Sequence, residues 1–212
     1  MPDYYQQNYR AYHEKTFFVD PASFLMPFAE NLKPGARILD IGCGSGRDLL
    51  WLKKRGFKVT GFERSSALAD LARKKAGCEV FEGDFGNYNF SNIRTDAILF
   101  VGSLVHIEHG KLSNLIEKIA NQTHASGIYL SFKEGAGVES TADSRTFYLW
   151  KDEALRKLFE RIGSHVIDFS KSVSLVNPKD MWLGYMLEKS YHPLDKNAEK
   201  VVPGLGYSLF KL

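Results

Sequence analysis

Cysteine is scarce: Cys43 and Cys78 are the two in 212 residues. With no C-x-x-C pair and no clustered histidines, the chain shows neither a disulfide scaffold nor a zinc pattern. Long apolar runs are also lacking, since none approaches the roughly 18 residues of a membrane span. The opening MPDYYQQNYR is polar and aromatic, unlike a secretory signal. A cytoplasmic protein with no membrane partner is the expectation. Excess charge is small: 28 Lys+Arg against 25 Asp+Glu leave a formal +3, which gives little support to a nucleic-acid partner. Repeats and low-complexity segments are missing too. What is present is an ordinary globular composition, 44% hydrophobic and 25% charged, with enough chain for one domain with a substantial core.

From residue 36 the pattern alternates strand and helix. Apolar or alternating runs at 36–41, 58–63, 78–83, 95–102 and 127–133 predict five strands, and 165–173 and 181–189 predict a final hairpin pair. Helices are expected at 46–55, 66–75 and 111–123. In the last of these, Leu112, Leu115, Ile116, Ile119 and Ala120 follow the i, i+3, i+4 spacing of one buried face. Leu155, Leu158, Phe159 and Ile162 repeat it. Strands alternating with such helices predict an α/β fold, a parallel sheet covered on both faces. Upstream, Asp20-Pro21 reads as a helix start, and Phe24, Leu25, Phe28 and Leu32 give an apolar face that Pro27 should kink or split. The chain divides into an N-terminal helical cap (1–34), a main domain (35–190) and a tail (191–212) expected to wrap the surface or stay partly mobile. Cys43 and Cys78 fall at opposite ends of neighbouring strands, about 17 Å apart for five strand residues, and are expected to be free thiols.

The stretch RILDIGCGSGRD (37–48) sets three glycines between a strand and a helix. A dinucleotide loop needs G-x-G-x-x-G, but its third glycine position falls here on Arg47. A phosphate loop needs G-x-x-x-x-G-K-[ST], and none exists. Asp40, two residues before Gly42, would repel a pyrophosphate and favour a ligand carrying an ammonium group. An amino-acid conjugate of a nucleoside is therefore expected. Glu63 ends the second strand, where a carboxylate accepts from ribose hydroxyls in doubly wound folds, although a solvated surface glutamate is the plain alternative. Asp84 and Phe85 follow the third strand, where an acid can accept from an adenine amino group and the ring can pack on the base; a plain turn aspartate is the alternative.

ILDIGCGSGRD, VTGFERS, GDF and DAILFVGSLVHI, in this order and spacing, resemble the class I S-adenosylmethionine-dependent methyltransferases over roughly residues 35–190. The resemblance implies a Rossmann-like seven-stranded sheet of order 3-2-1-4-5-7-6, with strand 7 antiparallel and helices on both faces. It implies that Asp40, Gly42 and Gly44 hold the methionine part of S-adenosylmethionine, Glu63 the ribose, and Asp84 and Phe85 the adenine, with Arg64 beside it and Gly102 at the donor site. SLVHI, SFKEGAGVES and SRTFYLW further resemble small bacterial methyltransferases of the general methyltransferase-domain type.

Ligands of open parallel sheets bind beyond the carboxyl ends of the strands, so the loops after strands 4 and 5 should line the acceptor pocket. Ser103, Lys133, Arg145 and Tyr148 are its expected lining. His106 is the base candidate for a protic acceptor, or else a structural wall. Lys133 and Arg145 either bind an anionic acceptor or form salt bridges with Glu134 or Glu139. Tyr4, Tyr5, Tyr9 and Tyr12 lie near helical spacing, giving a docked helix face that can also serve as a lid. No metal site is expected. A small-molecule methyltransferase is the leading expectation, with an RNA-directed methyltransferase or a non-catalytic donor-binding module as alternatives. The loop VGSLVHI lacks the proline-aromatic pattern of adenine-N6 enzymes and the Pro-Cys of cytosine-C5 enzymes.

Overall fold

The computed structural model describes residues 4–189. Its strands, in chain order, are β1 (Arg37–Ile41), β2 (Lys58–Glu63), β3 (Val80–Glu82), β4 (Ala97–Phe100), β5 (Gly127–Lys133), β6 (Val138–Ser140), β7 (Thr146–Tyr148), β8 (Ser164–Val173) and β9 (Met181–Lys189). Its helices are α1 (Tyr4–Gln7), α2 (Tyr9–Thr16), α3 (Ala22–Glu30), α4 (Arg47–Lys53), α5 (Ser66–Ala76), α6 (His109–Thr123) and α7 (Asp152–Arg161).

Seven strands form one sheet of order β3-β2-β1-β4-β5-β9-β8. The first five run parallel, and β9 is antiparallel to both neighbours. This is the expected topology once the separate hairpin β6–β7 is set aside. That hairpin was not anticipated; 134–150 reads as loop because each of its strands is three residues long and flanked by Gly, Ser and Asp.

The period-two alternation of the strands builds a core on each face. Leu39, Ile41, Phe62, Ile98, Phe100, Ile128, Leu130 and Phe132 meet α6 and α7 on one side. Ile38, Ala97, Leu99 and Tyr129 meet α3 and α4 on the other. Each fully buried Leu, Ile or Phe contributes about 1.5–3 kcal/mol of transfer free energy. Helix α5 has a clear start and stop: the Ser65 hydroxyl accepts from Leu68 N at 3.3 Å, and Gly77 ends the helix in the left-handed conformation at φ 60°.

Two expectations change. Helix α3 runs through Pro27 as a single element. One missing N–H is tolerated because Leu25 and Phe28, fully buried on either side of it, hold the helix to the sheet. Cys43 and Cys78 are not remote. They flank β1 and β3 with β2 between, yet share one small apolar cluster. Gly61, in the middle of β2, makes this possible: a Cβ there would lie 2.9 Å from Cys43 Sγ, so the thiol folds back over the strand instead of standing at its end. Both cysteines are free thiols.

Residues 1–34 also divide. Helix α3 belongs to the sheet's own core, whereas α1 and α2 lie against α5. The expectation for 191–212 falls outside the described residues. No helix among the described residues is long and apolar enough to cross a membrane.

Candidate functional site

Strand order reverses direction between β1 and β4, so a crevice opens beyond their carboxyl ends. Five short segments meet there: the glycine loop after β1, Glu63–Ser65 after β2, Gly83–Phe85 after β3, Gly102–His106 after β4, and the N-terminal helices across the top.

The glycines are required by approach as well as by backbone. Gly42 has φ +78°, and a Cβ on it would lie 2.4 Å from Ser103 Cβ; Gly44 has φ +55° with the Tyr12 ring 3.3 Å from its Cβ position. Gly46, at φ +87°, lets Ala72 of α5 come within 2.8 Å. The first two glycines thus shape the crevice, and the third joins α4 to α5.

Asp40 ends this loop's strand with its side chain 1% exposed. Its Oδ2 is buried and has no hydrogen-bond partner among the described residues, and the same holds for Ser103 Oγ. Burial pushes the Asp40 carboxyl well above the usual range, and the nearby Asp48 carboxylate adds to the shift while Arg47 opposes it. Arg47 is largely committed to Asp48, with Nε–Oδ1 at 2.7 Å and Nη2–Oδ2 at 2.9 Å. A buried carboxylate oxygen in this position suits a cationic or N–H-bearing ligand.

Glu63 is 8% exposed and ties three backbone segments together. Its Oε2 accepts from Gly44 N at 2.9 Å, and its Oε1 accepts from Arg64 N and Ser65 N, each at 2.9 Å. It is therefore no solvated surface glutamate. Asp84 is half-exposed, accepts from Gly86 N at 2.8 Å and lies 3.7 Å from the Arg64 guanidinium. Phe85 packs half-buried on the main core. Gly102, at φ +63°, donates to Ser131 Oγ at 2.9 Å and leaves room for Trp182.

The 3-10 turn Leu104–His106 presents His106 to the crevice. His106 Nδ1 lies 2.6 Å from the Thr146 carbonyl and Nε2 lies 2.7 Å from Tyr5 Oη. A carbonyl only accepts, so Nδ1 carries a hydrogen, and in the neutral ring Nε2 accepts from the Tyr5 hydroxyl. Burial pushes the Tyr5 phenol up, partly offset by a hydrogen bond from Arg145. Arg145 lies on the β6–β7 turn, chelates Asp143 at 2.7 Å and stacks 4.3 Å above the Tyr4 ring. Tyr12, next to Tyr5 at 5.1 Å between ring centroids, has its phenol pushed up by burial. Gln6 Oε1 fastens the N-terminal helices, accepting from Ser65 Oγ at 2.8 Å and Ala67 N at 3.2 Å.

The remaining pocket expectations separate. Tyr148 packs on His109 at 5.4 Å between centroids rather than on His106. Lys133 Nζ is held by Glu139 at 2.7 Å and Asp180 at 3.0 Å, the salt-bridge alternative. Burial opposes its charge and the two carboxylates prevail, holding it above its ordinary value. Arg145 pairs instead with Asp143. Lys133 borders a concavity of about 920 Å³, which lies between the hairpin, α7 and the start of β9 and includes Gly135, Asp152 and Asp180 but no glycine-loop residue. No group of three or more His, Cys, Asp or Glu among the described residues could hold a metal. The docked helix face of Tyr5 and Tyr12 was expected, whereas the Tyr5–His106 contact and the Gln6 anchor were not. The tyrosine spacing marked a helix face, but nothing local told where that face docks.

A doubly wound sheet with a carboxylate at the switch point, a glycine cradle and a second carboxylate after β2 defines a nucleoside-cofactor fold of the methyltransferase kind. Residues 38–127 match the family described as "Methyltransferase domain". The chain is 29% identical over 150 residues to "Probable tRNA methyltransferase 9B" of Mus musculus, covering 68% of this chain and 29% of that protein. It thus spans under a third of that relative's length. Among solved structures, a SAM-dependent methyltransferase from Methanosarcina mazei superposes with TM-score 0.68 at 16% identity, covering 81% of this chain and 98% of that one. The 1,6-didemethyltoxoflavin-N1-methyltransferase of Burkholderia thailandensis gives TM-score 0.66 at 19% identity, covering 88% and 84%. Residues 38–127 thus match a methyltransferase domain, on a fold shared with solved S-adenosylmethionine-dependent methyltransferases.

Proposed function

We propose that this protein transfers a methyl group from S-adenosylmethionine to a protic atom of a small molecule. The observation that carries the reading is the Asp40 carboxylate, buried at the switch point with Oδ2 unpartnered. That atom suits the donor's ammonium group, which a dinucleotide lacks. Asp40, Gly42, Gly44 and Gly102 hold the methionine end, Glu63 accepts from the ribose hydroxyls, and Asp84, Phe85 and Arg64 flank the adenine. When bound, the donor supplies an electrophilic methyl on a sulfonium whose sulfur leaves as a neutral thioether. The protein's share is then alignment, exclusion of water and removal of the acceptor's proton. Tyr5, Tyr12 and the β6–β7 hairpin roof the crevice around His106, an enclosure that suits a small acceptor near Ser103 and Arg145.

The likeness to the Mus musculus protein favours a second reading, an RNA acceptor. The test is label transfer from methyl-labelled S-adenosylmethionine into a metabolite extract and, in parallel, into bulk tRNA. Label in a low-mass compound supports the first reading, label in tRNA the second. Donor binding with no label anywhere points to a non-catalytic module and refutes both.

A further inference from the structure

Tyr5 belongs to the N-terminal helices, outside the sheet and its loops, yet its hydroxyl lies 2.7 Å from His106 Nε2. Because His106 Nδ1 is engaged 2.6 Å from the Thr146 carbonyl, Nε2 is the single ring nitrogen that can gain a proton. In this arrangement the lone pair that a base would use already receives the Tyr5 hydrogen. A proton that reaches Nε2 in this arrangement comes through the Tyr5 oxygen. The Arg145 guanidinium, anchored by Asp143 and stacked on Tyr4, lies near enough to the Tyr5 hydroxyl to act on its charge. That cation favours transient negative charge on the Tyr5 oxygen.

We infer that Tyr5 is the catalytic residue that touches the acceptor and that His106 works through it, the two forming a proton relay assembled only when the N-terminal helix is docked. The inference rests on the methyl-transfer reading. In the relay the acceptor's X–H bond breaks and its proton passes to the Tyr5 oxygen while the Tyr5 hydrogen passes to His106 Nε2. The electron pair freed on the acceptor atom forms its new bond to the methyl carbon, and the S–C pair stays on sulfur. His106 ends as an imidazolium, which balances the positive charge lost from the sulfonium. Thr146 fixes the tautomer that leaves Nε2 able to accept, and Arg145 steadies the oxygen between its two protons. Gln6, fastened to Ser65 and Ala67, sets the height of Tyr5 over the crevice.

The test uses the full chain with Tyr5→Phe, His106→Gln and the double substitution. Single-turnover label transfer is followed from methyl-labelled S-adenosylmethionine into a fractionated metabolite extract. Each single variant should lose about 10²–10⁴ in rate, and the double variant should lose no more than the worse single, as for groups acting as one unit. Binding of S-adenosylhomocysteine by calorimetry should persist in all three. Nitrogen NMR of the imidazoles supplies a readout independent of turnover: His106 should show the Nδ1–H tautomer, with an Nε2 signal that moves on Tyr5→Phe. Additive losses, a Tyr5→Phe rate within a few-fold of wild type, loss of S-adenosylhomocysteine binding in both singles, or an Nε2–H tautomer overturns the relay. Failure of wild type itself to label anything refutes the methyl-transfer reading and the relay with it, whereas equal labelling by wild type and Tyr5→Phe refutes the relay alone.

Discussion

Gly42→Ala tests the closest contact of the crevice. At φ +78° an alanine sits in the left-handed region, which costs about 1–2 kcal/mol. Its Cβ would also lie 2.4 Å from Ser103 Cβ, with Ser103 Cα at 3.6 Å. A Cβ position has no rotamer, so relief requires the backbone after β4 to retreat by more than 1 Å toward the usual carbon contact of about 3.5–4 Å. Overpacking of this kind costs roughly 1–3 kcal/mol, for a total near 2–5 kcal/mol. Gly35→Ala is the matched control. It has a similar φ of +74° and nothing within 4 Å of its Cβ position, so it shares the strain and the unfolded-state entropy gain without the clash. At about 2–4 °C per kcal/mol for a chain of this size, Gly42→Ala should melt roughly 2–12 °C below Gly35→Ala by circular dichroism. Urea midpoints should rank the two in the same order. Equal melting of the two variants would refute the close approach of the loops after β1 and β4.

Asp40→Asn should stabilise the protein at neutral pH, because the amide removes the cost of ionising a buried carboxyl. Because the folded carboxyl is raised, the folded state holds its proton longer, and wild-type stability falls as pH climbs from the unfolded carboxyl range toward the folded one. The advantage of Asp40→Asn should thus vanish below about pH 4 and grow above it; a pH-independent difference in urea titrations would count against this. Glu63→Gln should weaken S-adenosylhomocysteine binding by about 1.5–3 kcal/mol, and unchanged calorimetric affinity would remove Glu63 from the ribose role. Both thiols should titrate in the denatured, unreduced protein, and in the native protein Cys78 should alkylate faster than the more deeply buried Cys43, whose thiol burial pushes further up. Equal native rates would contradict the packing around Gly61.

The glycine-loop side of the crevice was legible because its signals are local. Asp40, the glycines and Glu63 lie at strand ends that apolar periodicity marks, and short loops carry them straight to the crevice. The His106 side depends on long-range contacts. Tyr5 meets His106 across 101 residues, and Thr146 meets it across 40, and no periodicity encodes such a meeting. The cysteine argument failed for a related reason: strand arithmetic places backbones, whereas Cys43 Sγ follows the missing side chain of Gly61.

The β6–β7 hairpin begins and ends at one place. Glu134 bridges to Trp150, Trp150 N donates to the Lys133 carbonyl at 3.1 Å, and Gly135 N donates to the Trp150 carbonyl at 3.0 Å. An excursion closed at its base in this way can be lengthened, shortened or exchanged without altering the path of the chain on either side. It also lies beyond residue 127, where the family match ends. The crevice is thus built of two kinds of part, one fixed by the backbone and carboxylates of the sheet and one an excursion that can be exchanged. Replacing segment 135–149 by another loop is accordingly expected to leave the glycine cradle and its carboxylates in place.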